Sequence, residues 1–151
     1  MVVSASMRLE YVTANDWTLL RSKARQLAFR PREVLIHFTS RPNTLFVLKK
    51  GSATVEVARG KVIARLGVGD ICGEMAFVEN DGASASVVAE SEIEVEAFDV
   101  NDVLEIFATY PHLEARFYKS IALVLSKRLR ITSSQLSKLV QAGQSTHASG
   151  L

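Results

Sequence analysis

Between residues 34 and 98 the chain is a series of short apolar or alternating runs cut apart by turn residues, and this spacing limits the possible folds more than any other feature. The runs fall at 34–38, 45–48, 53–58, 62–66, 86–89 and 93–98. In the third, Val55 and Val57 alternate with Thr54 and Glu56, which is the period of a half-buried strand. Residues 40–43 form a turn before the second run, Arg59-Gly60 reads as a hairpin turn, and Gly67 and Gly69 punctuate a loop. Long crossover helices do not fit between such runs, which speaks against a parallel sheet. The pattern predicts a mostly β fold with flanking helices, an antiparallel β-roll or jelly roll.

On either side the period changes to that of helices. Thr13 or Asn15 can cap a first helix, with Asp16 in its first turn; Trp17, Leu20, Ala24 and Leu27 share one face, and Pro31 marks a break. Trp17 is read as packing this helix on the roll. After Phe98, Asp99 caps a short helix, Asp102 stands at its third position in a reciprocal capping arrangement, and Val103, Ile106 and Phe107 form its apolar face. Tyr110-Pro111 interrupts it. A long helix then spans about 113–140, roughly 40 Å at 1.5 Å per residue. Phe117, Ile121, Leu125, Leu129, Thr132, Leu136 and Leu139 or Val140 make one stripe. Its first part covers the roll. Its later part outruns a roll of this size and is expected either to pair with a second copy, giving a homodimer, or to end exposed. The domain reading is an N-terminal extension over 1–14, one domain over 15–140 and a disordered, small and polar tail over 141–151.

Composition narrows the classes. Cys72 is the only cysteine, so a disulfide scaffold is excluded, and the residue is read as a buried, inert thiol. No apolar run approaches the roughly 20 residues of a spanning helix. The first ten residues lack a basic head followed by an apolar core, so no secretory signal is expected and the reading is a cytoplasmic protein. The net charge of +2 hides an uneven distribution: residues 1–69 carry 12 Lys/Arg and 4 Asp/Glu, residues 70–105 carry 11 acids and no base, and residues 106–151 carry 6 bases and 1 acid. The bases are spread over several elements, as on solvated helix faces, so no nucleic-acid partner is expected. His37, His112 and His147 show no metal-ligand spacing, and no nucleophile–base pair stands in a motif, so neither a metal nor catalysis is expected.

The most informative stretch is Arg65-Leu-Gly-Val-Gly-Asp-Ile-Cys-Gly-Glu-Met-Ala-Phe, followed by Val78-Glu-Asn-Asp-Gly-Ala-Ser-Ala-Ser-Val-Val-Ala. It is a glycine-punctuated loop that enters a short turn and returns to a strand through small residues. Backbone N–H groups in such a turn can form an anion nest, and Gly73 permits close backbone approach. Glu74 can accept from a ribose hydroxyl or from the backbone of its own loop. Ser84 and Ser86 can donate to a phosphate or a purine edge, or stand as plain strand residues.

In this order of elements the chain resembles the cyclic nucleotide-binding domain family, over about residues 20–136. The resemblance rests on Leu66-Gly-Val-Gly-Asp, Gly73-Glu-Met-Ala-Phe, the short helix after Asp99, Tyr110-Pro-His-Leu and the long helix. It implies a phosphate-binding cassette with candidate ligand residues Gly73, Glu74, Met75, Ala76, Ala83, Ser84, Ala85 and Ser86. Glu74 would bind the ribose 2′-hydroxyl, and the backbone near Gly73 and Ala76 would approach the cyclic phosphate. The implied ligand is cyclic AMP or cyclic GMP, with no other cofactor, and the output is a shift of the long helix. The sequence departs from the family at the phosphate. Ala83 stands where the family has the arginine that pairs with it, and Gly82 where proline is common. Two functions follow as expectations: a non-enzymatic sensor signalling through the C-terminal helix, or a degenerate, non-binding domain kept for dimerisation or docking to a protein partner. A third is a less anionic ligand in the same pocket.

Overall fold

The computed structural model of the chain describes residues 6–79 and 81–149; residues 1–5 and 150–151, the outer parts of the expected extension and tail, lie outside them. A first helix, α1 (Ala14–Arg21), is followed by strands β1 (Arg25–Phe29), β2 (Val34–Ile36), β3 (Thr44–Lys50), β4 (Ala53–Val57), β5 (Lys61–Leu66) and β6 (Ile71–Cys72). A 3₁₀ turn (Glu74–Phe77) leads to β7 (Ser86–Ala89) and β8 (Ile93–Asp99), and helices α2 (Val100–Thr109) and α3 (Pro111–Ser149) complete the described chain.

The strands form two four-stranded sheets, ordered β1-β8-β3-β6 and β2-β7-β4-β5. Every pairing is antiparallel. The expected roll with flanking helices is therefore present, and the alternation that predicted it has a clear physical use. On β8, Ile93, Val95 and Ala97 share one face and are fully buried. Glu94, Glu96 and Phe98 share the other. There α1 lies over Phe98, with the Trp17 and Phe98 rings 5.7 Å apart. Glu96 on this face is buried but paired with Arg21 at 2.9 Å and Lys49 at 3.6 Å, as a buried carboxylate requires.

Several local expectations are corrected. The first helix ends at Arg21, not beyond Leu27: Ser22 turns its N–H back to Leu19 and Leu20, and Leu27 lies in β1, paired with Val95. The reciprocal capping box is at Thr13 and Asp16, with bonds of 3.1 Å and 3.0 Å. Asp99 does cap α2, accepting from the N–H groups of Asn101 and Asp102, a one-sided cap. The long helix continues past Val140, where the sequence reading ended it, to Ser149. The N-terminal segment read as an extension contributes Met7, Leu9 and Val12 to the core. Asp70 holds it there, accepting from the N–H groups of Met7 and Gly67, both at 2.8 Å.

The two halves of α3 differ in environment. Leu113, Phe117, Ile121 and Val124 are buried, whereas Leu129, Leu136, Leu139 and Val140 are 52–67% exposed. The helix stays against the roll as far as Gln135, whose Nε2 donates to the Ile63 carbonyl at 3.2 Å, while these four apolar side chains face outward.

Candidate functional site

The glycine-rich loop, the inner face of the β4–β5 hairpin and the middle of α3 enclose a cavity of about 310 Å³. That is the lower end of the range for small-molecule sites, about 300–1,000 Å³. Val55, Val57 and Ile63 give one apolar wall, Met75 and Ala76 a second, and Arg128, Ile131, Thr132 and Gln135 of α3 close the third side.

The loop's shape follows from its residues. Gly73 sits at φ +87°, in the left-handed region, and a Cβ there would collide with the Thr44 carbonyl oxygen. Only glycine lets the chain turn there against β3. The turn that follows is anchored to the helices: the Phe77 ring lies 4.9 Å from Phe117, which in turn lies 5.0 Å from Phe107. The Tyr118 hydroxyl donates to the Phe77 carbonyl at 3.3 Å.

Of the sequence-predicted ligand residues, Gly73, Met75, Ala76, Ala83, Ser84 and Ala85 line the cavity. Glu74 lies between Gly73 and Met75 and is wholly buried. Its Oε1 pairs with the Arg128 guanidinium, which also donates to the Ile71 carbonyl at 3.3 Å. Among the described residues, its buried Oε2 has no hydrogen-bond partner. Ser86 stands apart, its hydroxyl accepting from the Phe38 N–H at 3.0 Å.

The corner where the resemblance places the phosphate is built from backbone pairs. The Ala83 N–H donates to the Ser40 carbonyl at 2.7 Å, and the Thr39 N–H donates to the Ala83 carbonyl at 2.9 Å. Gly82 fits against this segment because a Cβ would stand 2.8 Å from the Thr39 carbonyl oxygen. Its N–H donates to the Asp81 carboxylate at 2.8 Å. Cys72 also borders the cavity, its thiol pushed up to about 12 by burial first and then by the Glu74 carboxylate, with Arg128 opposing. It therefore stays protonated at neutral pH, a packing thiol and not a nucleophile. Among the described residues, no group of three or more His, Cys, Asp or Glu is placed to hold a metal ion. None of their helices is long and apolar enough to cross a membrane.

Arg128, Ile131, Thr132 and Gln135 were outside the sequence-based set. The signal available was their spacing of three and four along the long helix, one face shared by Arg128, Thr132 and Gln135. Nothing local links that face to a turn 54 residues earlier.

The fold is an antiparallel roll with a small cavity closed on one side by α3. The chain belongs to the cyclic nucleotide-binding domain family, whose model matches residues 26–110. It is 28% identical over 123 residues to cyclic GMP-binding protein C of Dictyostelium discoideum, covering 79% of this chain and 5% of that protein. It is 32% identical over 77 residues to cyclic GMP-binding protein D of the same organism, covering 50% of this chain and 6% of that protein. The chain thus spans a small fraction of the length of these relatives. In fold it is similar to the Thermus thermophilus catabolite activator protein, with a TM-score of 0.70 at 22% identity, covering 85% of this chain and 61% of that one. The resemblance read from Gly73-Glu-Met-Ala-Phe and the order of elements is borne out at the level of family and fold.

Proposed function

We propose that this chain is a non-enzymatic regulatory module that binds a ribose-bearing ligand, a cyclic nucleotide or a related small molecule, and signals through α3. The observation that carries this reading is the buried, unpartnered Oε2 of Glu74 beside a cavity. Leaving a buried acceptor unpaired costs on the order of 1–3 kcal/mol, so a hydroxyl donor reaching Glu74 recovers that cost. The names of the Dictyostelium relatives make cyclic GMP, ahead of cyclic AMP, the first cyclic nucleotide to try.

The route to an output is physical. Contacts at two places on α3 tie it to the turn at Glu74–Phe77: the Phe117 ring and the Tyr118 hydroxyl on Phe77, and the Arg128 ion pair with Glu74. They sit about 16 Å apart along the helix. A ligand that donates to Glu74 Oε2 adds a partner to the same carboxylate that Arg128 holds through Oε1, coupling the ligand to this point of the helix, while Phe117 stays packed in the core as the pivot. The shift requires unequal affinity of the ligand for two helix positions. The exposed Leu129, Leu136, Leu139 and Val140 then meet a second copy, so that the module acts as a cytoplasmic homodimer.

A second reading keeps the same fold without a ligand, as a module for dimerisation or for docking to a protein partner. The Ala83–Ser40 backbone pair, which occupies the cassette corner, favours it. Hydrogen-exchange mass spectrometry with and without millimolar cyclic GMP or guanosine separates the two. The sensor reading expects slower exchange at residues 71–77 and around 128–135. Unchanged exchange in both segments with either ligand favours the second reading.

A further inference from the structure

The charges around the cavity do not suit an anion. Arg128 is committed to Glu74 and to the Ile71 carbonyl. Arg65 borders the cavity through its position on β5, but its cross-strand partner is Thr54, whose hydroxyl bonds Glu56 on the face of β4 opposite Val55 and Val57. Cross-strand partners share a face, so the Arg65 side chain points away from the cavity, where its Nε donates to Glu90 at 2.9 Å. At the cassette corner the loop before β7 carries the neutral Ala83, and the charged residue lining the cavity there is negative: Asp81 borders the cavity and its carboxylate already holds the Gly82 N–H. The Ala83 N–H is taken by Ser40. A cyclic phosphate placed there would lose its hydration to a lining in which, among the described residues, neither arginine is free and a carboxylate stands beside it, which is costly for an anion; Arg41, exposed and next to Ser40 in sequence, is not among the lining residues.

The rest of the cavity suits the uncharged parts of the same molecule. Glu74, between the lining residues Gly73 and Met75, has an Oε2 without a donor among the described residues; Val55, Ile63 and Met75 offer apolar surface to a flat ring; and Thr132 and Gln135, whose donors already serve the Arg128 and Ile63 carbonyls, offer their oxygens as acceptors at the helix side. We infer that the cavity takes an uncharged nucleoside in preference to the corresponding cyclic phosphate. This inference rests on the sensor reading above and names its ligand class.

The test is a set of calorimetric titrations of the full chain with guanosine, adenosine, 3′,5′-cyclic GMP and 3′,5′-cyclic AMP, repeated with Asp81→Asn. Asp81 is exposed, and the substitution keeps an oxygen for the Gly82 N–H, so folding is expected to be preserved. The expected result is at least one nucleoside binding about ten-fold or more tighter than its cyclic phosphate, with that gap narrowed in Asp81→Asn. A cyclic phosphate that binds tighter than its nucleoside overturns this inference and leaves the sensor reading standing. A gap unchanged in Asp81→Asn overturns the role given to the Asp81 charge but supports the preference itself, whereas equal binding of nucleoside and cyclic phosphate overturns the inference. Binding of none of the four overturns the sensor reading itself.

Discussion

Arg128, near the middle of the long helix α3, pairs its guanidinium with the wholly buried carboxylate of Glu74, 54 residues earlier in the chain. One ion pair thereby joins the turn that borders the cavity to the helix that closes it. Removing either partner leaves a buried charge or a solvent-facing cation without its match, and these losses are unequal.

Arg128→Ala strands the buried carboxylate and is expected to cost about 3 kcal/mol in stability. The double variant Glu74→Gln with Arg128→Met removes both charges and is expected to recover most of that loss. Urea denaturation of the three proteins measures both. A loss below about 1 kcal/mol in Arg128→Ala would contradict a structural role for the pair.

Asp16 gives a pH dependence. Arg116 on α3 donates to both of its carboxylate oxygens, at 2.7 Å and 2.8 Å, and with Thr13 lowers its pKa from 3.8 to about 2 against the opposing effect of burial. The folded pKa lies below the unfolded one, so the stabilisation is present above about pH 4 and is lost as the pH falls toward 2. Allowing for solvent around Arg116, about 1–2 kcal/mol is at stake. Asp16→Asn is expected to be less stable at neutral pH and to lose less between pH 4 and 2. Parallel slopes for the two proteins would exclude this group as the source.

How far the sequence reached depended on the range of the interaction. Strand β4 was legible because its alternation is a local signal, and β7 and β8 because short runs bounded by turn residues are another. The end of α1 was not, because Ala24 and Leu27 fit a helical face as well as they fit a strand, and no glycine or proline stands between Arg21 and Arg25. Strand β6 has two residues, too few to show a period. Gly73 and Glu74 were legible as a turn with a carboxylate. The cation facing Glu74 was not, because Arg128 reads locally as one more solvated base on a long helix.

The exposed stripe on α3 predicts association. Leu129→Asp with Leu136→Asp should convert a dimer to a monomer in sedimentation, with circular dichroism of the roll unchanged. A dimer that survives both charges would place the interface elsewhere.

Ala83→Arg restores a cation at the cassette corner. A charge-assisted bond of about 1.5–3 kcal/mol corresponds to roughly ten- to a hundred-fold. Cyclic GMP affinity is therefore expected to rise by that factor, with little change for guanosine. No gain would mean that the Ala83–Ser40 pairing, and not missing charge, closes the corner.

The claim that most else depends on is that Glu74 accepts a hydroxyl from a ligand in this cavity. Titration of the unmodified chain with guanosine and cyclic GMP beside their 2′-deoxy counterparts tests it without disturbing the protein. The account predicts measurable binding of at least one ribose form and a loss of about ten-fold or more when the 2′-hydroxyl is absent. Equal affinity for the ribose and deoxyribose forms, or no binding of any, would contradict it.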